Sequence, residues 1–329
     1  MNHGLTRRAL LGTATLTAAS LAAPAVRAQG EAWPSRPIRM IVPYTPGAAT
    51  DAMARLAAQK LAERLGVTVV VENRAGANGA IGSQAVLQAP PDGYTILGSA
   101  SIHPMAKYVM KNAPYDAVAD FTPIARTARG PLLLVMNPKL APRSIPEVVE
   151  AARKDPGKWS FATSSLGSAG HLGSIEFNRL TRSSIEIVGY RGSSPALTDV
   201  AAGNVQLMFD PVLATLPMVR GGQLHALAIA TRERTSLAPD IPTAAEAGLP
   251  GFEFYSWYGV WAAKGVPMPI IDRMNAALTA GLREPEVVRR LNSQGFEPVT
   301  ETAAQAARYI ERDVATNAEL LRLANFVPD

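Results

Sequence analysis

From residue 38 onward the chain alternates short apolar runs with stretches of helical periodicity, and this alternation restricts it to folds in which helices cover sheets. Residues 38–42 (Ile-Arg-Met-Ile-Val) read as a strand, followed by a turn through Gly47. Over 51–65 the apolar residues Met53, Leu56, Leu61 and Leu65 recur at helical spacing. Further strands are expected at 67–71, 94–97, 132–136, 185–188, 205–209, 224–230 and 259–262. Helices are expected at 80–88, 148–152, 171–180 and 195–202. The clearest helix follows Pro269, with Ile270, Met274, Leu278 and Leu282 each four apart. Strands that alternate with helices predict α/β sheets that are largely parallel. No Ser/Gly tract, charge block or low-complexity segment marks a linker. The residues alone leave two organisations open: one large sheet, or two lobes that exchange strands.

The first 28 residues have a different character. Arg7 and Arg8 precede a short stretch rich in Ala, Thr and Leu that is broken by Pro24 and ends in Val26-Arg27-Ala28. This is the pattern of a cleavable export signal, with small residues where the peptidase reads. The run Thr6-Arg7-Arg8-Ala9-Leu10-Leu11 also has the form of a twin-arginine signal. The mature chain is expected to begin near Gln29 and to work in the periplasm. Arg7, Arg8 and Arg27 leave with the signal and no acid does, so the working chain is closer to neutral than the formal +5 of the whole. No basic block with interleaved aromatics exists, which argues against nucleic-acid binding. The absence of cysteine excludes disulfides, thiolate metal sites and a cysteine nucleophile. After the signal, no apolar run approaches the ~20 residues needed to span a bilayer.

Two segments have the form of anion cradles. In Tyr44-Thr45-Pro46-Gly47-Ala48-Ala49-Thr50-Asp51 a strand ends in a glycine turn and a helix begins, leaving unpaired amides at the positive end of its dipole. A plain capping role for Thr50 or Asp51 is the alternative. In Thr163-Ser164-Ser165-Leu166-Gly167-Ser168-Ala169-Gly170-His171 a short strand runs into hydroxylated residues and a second helix start. A third segment, Gly76-Ala77-Asn78-Gly79-Ala80-Ile81-Gly82, is near a dinucleotide fingerprint. Four residues, Glu72 to Ala75, separate it from its strand, so the required tight turn is missing. No Walker loop and no Gly-x-Ser-x-Gly elbow occur, and His103, His171 and His225 are too scattered for metal-ligand spacing. Ser168 and His171 share a helix start but lack a third group to orient the imidazole. The chain is not expected to be an enzyme.

Several motifs, taken together and in order, resemble one family. They are Asp51, Val71-Glu72-Asn73-Arg74-x-Gly76-Ala77-x-Gly79-x-Ile81-Gly82, Pro91-Asp92-Gly93-Tyr94-Thr95, His171-Leu172, Tyr190-Arg191-Gly192-Ser193, Met208-Phe209-Asp210, Pro242-Thr243-x-x-Glu246-Ala247-Gly248 and Ser256-Trp257. They resemble the tripartite tricarboxylate transporter substrate-binding receptors, the Bug family of periplasmic solute receptors. The resemblance implies an α/β fold of two lobes forming a type II periplasmic-binding-protein clamshell. Its crossing strands would lie near residues 129–132 and 227–230. The implied division is a signal at 1–28, one lobe from 29–130 and 229–329, and the other from 131–228. It further implies a monomer that needs no cofactor and binds a small carboxylate between the lobes. The lobes close, and the receptor docks on a two-component integral-membrane permease. The alternative partner is a signalling protein.

On this reading the carboxylate is held by backbone amides of Gly47, Ala48, Ala49, Thr50 and Asp51, and by those of Ser164, Ser165, Gly167, Ser168 and Ala169. The serine hydroxyls assist, and His171 stands at the cleft edge. Tyr44 and Tyr190 would pack on the ligand's carbon frame. Asp210, following the 205–209 strand, would receive a hydroxyl, amine, amide or water, or else serve as a hinge or cap. Ser101 and His103 are weaker candidates. The sequence departs from the family pattern where Ala48 follows Gly47 in place of a second glycine. It departs again at Ser165, which stands for a glycine, and at Gln206, which stands for a common Asp.

Overall fold

The computed structural model describes Met1 and residues 33–328. The expected signal therefore lies, apart from Met1, outside the described residues. Contacts divide the chain between Trp33 and Pro34, and the architecture below is that of Pro34 onward.

In the first half-sheet β2 (Val69–Asn73), β1 (Ile38–Val42), β3 (Thr95–Ala100), β9 (Tyr255–Ala263) and β4 (Phe121–Met136) follow one another in that order. Strand β1 (Ile38–Val42) lies between β2 (Val69–Asn73) and β3 (Thr95–Ala100), parallel to both. All of β1 except Arg39 is buried, as befits a strand covered on two faces. Helix α1 (Ala49–Leu65) lays Met53 and Leu56 against Ala100, Ile102 and Tyr258. Helix α2 (Ala80–Leu87) belongs to a separate core cluster with Ile41, Leu97 and Trp261. Two short helices, α3 (Ala106–Val109) and α4 (Ala117–Asp120), lead into β4 (Phe121–Met136).

β4 is the spine of the molecule. Its sixteen residues exchange partners midway: Phe121 to Pro131 pair antiparallel with β9 (Tyr255–Ala263), whereas Leu132 to Met136 pair antiparallel with β7 (Leu207–Pro211). β10 (Glu297–Pro298) also pairs with its first half and β8 (His225–Ile229) with its second. Beyond β7 the second half-sheet continues in parallel through β5 (Ser160–Thr163) to β6 (Glu186–Gly189). Helices α5 (Ile145–Lys154), α6 (Ala169–Thr181), α7 (Ser193–Ala202) and α8 (Val212–Arg220) accompany it. The chain closes with α9 (Met268–Leu282), α10 (Pro285–Ser293) and α11 (Ala303–Leu323). Parallel pairing between the named strands is thus confined to β1–β3 and β5–β7, and every strand paired with β4 runs antiparallel to it.

One expectation needs correction, and packing suggests a different place for another. Residues 205–209 do not form the strand as expected, because the amides of Gly203, Asn204 and Val205 all turn back to the Asp199 carbonyl to close α7. The strand starts at Leu207, and Asp210 lies inside it, opposite Leu133. The chain also does not leave the second half-sheet near residues 227–230. Ile229 bridges to Thr243, and Ala238, Ile241, Ala244, Leu249 and Phe252 are buried in the cores of that half. The Pro242-Thr243-x-x-Glu246 motif is a reciprocal cap there: the Glu246 carboxylate accepts from the Thr243 amide, and Thr243 Oγ1 from the Glu246 amide. We therefore propose that one lobe comprises 34–130 and 255–329 and the other 131–254, with the return crossing where β9 begins.

Candidate functional site

The C-terminal ends of β1 and β5 lead into the two loops singled out in the sequence, and both border a cleft of about 810 Å³. In the first loop Tyr44, Ala48, Ala49 and Thr50 line the cleft. The cap residue of α1 is Ala48, whose methyl side chain satisfies no amide, so the first amides of the helix are left for a ligand or water. Gly47 and Asp51 were expected to bind ligand but are not on the wall. The Gly47 amide donates to Asp51 Oδ2 at 3.1 Å, and Asp51 also accepts from Arg55 Nε at 2.9 Å and Asn73 Nδ2 at 2.9 Å. Asn73 donates in addition to the Tyr44 carbonyl. Asp51 is thus a tether that fixes the loop to the end of β2. Burial pushes its carboxyl up, but the bonds from Arg55, Asn73 and Gly47 outweigh this and hold it below the ordinary value.

The glycine segment set aside as a false dinucleotide motif forms part of the same cleft through Gly76, Ala77, Asn78 and Gly79. Its glycines serve packing. A Cβ on Gly79 would lie 2.8 Å from the Tyr44 hydroxyl oxygen, and one on Gly82 would lie 2.8 Å from the Pro43 backbone. The Tyr44 side chain therefore lies directly over this segment.

In the second loop Ser164, Ser165, Ser168 and Ala169 line the cleft. Ser168 caps α6, accepting from the His171 amide at 3.2 Å, and its hydroxyl also meets Thr163 Oγ1 at 3.0 Å. Gly170 allows the helix to start where it does: a Cβ there would lie 2.2 Å from the Phe209 carbonyl oxygen. Gly167 and His171 are not on the wall. His171 Nδ1 accepts from the Gly167 amide at 3.1 Å, and its ring packs edge-on against Phe326. Burial drives its pKa down to about 4, which keeps the imidazole neutral. Ser101 reaches the cleft from the end of β3, whereas His103 is buried beside Tyr115, Phe121 and Trp261.

A third helix start reaches the cleft that the local sequence pattern did not single out. Gly192 caps α7 with no side chain, and Arg191, Gly192 and Ser193 join Tyr190 on the wall. The signal for it was available in Gly192-Ser193-Ser194-Pro195, a helix-opening composition. Tyr190 donates its hydroxyl to Asp199 at 2.7 Å, leaving its ring to line the cleft. Asp210 lies on the wall with Ser256 and Tyr258 of β9, both missed in the sequence. Ser193 Oγ donates to Asp210 Oδ1 at 3.0 Å. Burial, opposed only by the Ser193 bond, pushes the Asp210 carboxyl up to about 7. Among the described residues, no cluster of three or more His, Cys, Asp or Glu could hold a metal ion.

The fold is that of the periplasmic binding proteins, solute receptors built as two lobes around a cleft. The model of the tripartite tricarboxylate transporter family receptor matches residues 53–326, and the chain belongs to that family. Protein BugT of Bordetella pertussis is 38% identical over 309 residues, covering 93% of this chain and 94% of its own. The periplasmic binding protein BugD superposes with a TM-score of 0.82 at 33% identity, over 90% of this chain and 100% of that one. Rpa4515 of R. palustris, solved with adipate, gives 0.85 at 34%, over 90% and 100%. MatC (Rpa3494) of Rhodopseudomonas palustris, solved with bound malate, gives 0.81 at 30%, over 88% and 99%. The family is one of solute-binding receptors, as the motifs of the sequence imply.

Proposed function

We propose that this protein is a periplasmic receptor for a small organic acid, a mono- or dicarboxylate, which it delivers to a two-component integral-membrane permease of the tripartite tricarboxylate type. One observation carries the reading: the N-termini of α1, α6 and α7 converge on one cleft. Each presents unpaired amides at the positive end of a helix dipole, an arrangement that favours a carboxylate. The lining adds the hydroxyls of Ser164, Ser165, Ser168 and Ser101, with Tyr44 and Tyr190 as aromatic walls for the carbon frame. The adipate and malate carried by related structures support this ligand class. Closure about the ligand would be driven by its differential affinity for the closed form.

A thermal-shift screen of the chain from residue 29 tests the reading. The panel spans aliphatic, aromatic, amino and hydroxylated acids and includes adipate and malate. An acid at 100 times its dissociation constant should add about 2.7 kcal/mol and raise the melting temperature clearly. A protein that no acid stabilises, even after refolding from denaturant to strip any carried ligand, would remove the reading.

A further inference from the structure

The cleft contains one buried acid, which is out of place in a site for anions. Asp210 is 2% exposed, its Oδ1 accepts from Ser193, and its Oδ2 is fully buried without a hydrogen-bond partner. The groups around it come from five directions. β4 brings Leu132 and Leu133, and α6 brings Ala169 and Gly170, with the neutral His171 one residue on and bonded to Gly167. α7 brings Ser193, and α8 follows through Pro211 and Val212. β9 brings Ser256 and the Tyr258 phenol, which burial holds well above its usual range. Arg191, solvent-exposed, is the one basic side chain on the wall. Among the described residues no Lys, Arg or His pairs with Asp210.

An ionised Asp210 would therefore leave a buried anionic oxygen without a donor, beside amides that attract a second anion. Both costs are reduced if the carboxyl carries a proton, because Oδ2 then becomes a donor on a side chain that lines the cleft, free to be satisfied by a bound acceptor. We propose that Asp210 binds ligand in its acid form, donating from Oδ2 to a carboxylate oxygen of the bound organic anion, so that each ligand taken up brings one proton with it. The proton comes from solvent when the free carboxyl is ionised, and no bond other than the hydrogen bond forms. The free carboxyl, raised by burial, titrates close to the pH at which such a receptor works. The proposal rests on the carboxylate reading above and assigns the chemistry of one end of that site: a bare carboxylate there, in preference to an ammonium group.

The test uses the chain from residue 29 with adipate and malate as probes, by titration calorimetry from pH 6.0 to 8.5 in buffers of differing ionisation enthalpy. Affinity is expected to fall about tenfold per pH unit above the carboxyl's midpoint, with one proton taken up per ligand. In Asp210→Asn, whose amide donates at every pH, the slope and the proton uptake should both disappear. Uptake of no proton by the wild type, or a slope that survives in Asp210→Asn, would overturn the proposal. If Asp210→Asn does not fold, the wild-type proton count decides alone. If neither acid binds, carbon-13 titration of the Asp210 carboxyl in the ligand-free chain decides independently of the carboxylate reading. A midpoint near 7 supports the acid form, and one near 4 sinks it.

Discussion

Asn78 donates through Nδ2 to the backbone carbonyl of Leu166 at 3.0 Å, joining the glycine segment of the first lobe to the serine loop of the second across the cleft. Asn78 holds a left-handed backbone, φ 51°, which Asn tolerates better than most residues. The bond exists only while the two loops are in contact, so it favours the closed arrangement over any open one. Asn78→Gly keeps the backbone conformation accessible and removes the donor. A net hydrogen bond of about 1 kcal/mol predicts roughly fivefold weaker ligand binding, seen chiefly as faster dissociation in stopped-flow displacement. An unchanged dissociation rate would mean that the bond does not bias closure.

Gly170 and Gly173 lie on the same helix and should respond in opposite directions. A Cβ at 170 would lie 2.2 Å from the Phe209 carbonyl oxygen, so α6 or β7 must shift to admit it. At 173 the nearest atoms are 3.7 Å away, ordinary contact. Gly170→Ala should cost about 1–3 kcal/mol through overpacking and also displace the amides of α6 from the cleft. Gly173→Ala should gain up to about 1 kcal/mol, because alanine is the better helix former. Denaturant melts of the two variants check the signs.

The sequence announced the parts of the site that are contiguous in the chain. Strand, glycine turn and helix start follow one another at residues 44–51 and 163–171, and both segments are found at the cleft. It concealed whatever depends on a distant partner. Asp51 looks like a cap until β2 brings Asn73 beside it. The glycines at 79 and 82 mimic a dinucleotide fingerprint because close backbone approach is needed in both cases, here beneath Tyr44 and Pro43. Ser256 stands in a family motif that says nothing of its role and Tyr258 shows nothing locally, since only the pairing of β9 with β4 carries them to Asp210. The lobe boundary proposed here differs from the one expected from the sequence for the same reason. β8 reads as a crossing strand, and the packing of residues 231–254 back onto it is a tertiary fact.

The Asp51 tether predicts an acid-sensitive first loop. Its folded carboxyl is depressed, so its contribution is complete above the unfolded value of about 3.9 and is lost as pH falls through the folded one. Asp51→Ala leaves the Gly47 amide and Asn73 Nδ2 without their acceptor and should cost about 1–2 kcal/mol at pH 7, given that Arg55 is half solvent-exposed. The gap between variant and wild type should narrow below pH 4. Ligand affinity should fall with it, since the same bonds hold Ala48 to Thr50 in place. Melts at pH 3, 5 and 7 check both the size and the trend.

His171 sets a pH dependence of stability that a single variant can isolate. In the folded chain burial lowers its pKa to about 4, whereas unfolded histidine titrates near 6.5. Between those values the unfolded chain binds a proton that the folded chain refuses, so stability is complete above about pH 6.5 and falls as the solution is acidified. One such group contributes a slope of about 1.4 kcal/mol per pH unit. His103, pushed down to about 3 by the same cause, adds a second, while Asp210, raised to about 7, works in the opposite direction over part of the range. Absolute slopes mix these groups, but the difference between wild type and His171→Gln does not, because glutamine has no charge and keeps an acceptor for the Gly167 amide. Urea melts at pH 5.0, 5.5 and 6.0 should show the variant's slope shallower than the wild type's by close to one proton. Equal slopes would mean that His171 is protonated in the folded state, and that its Nδ1 does not accept from Gly167.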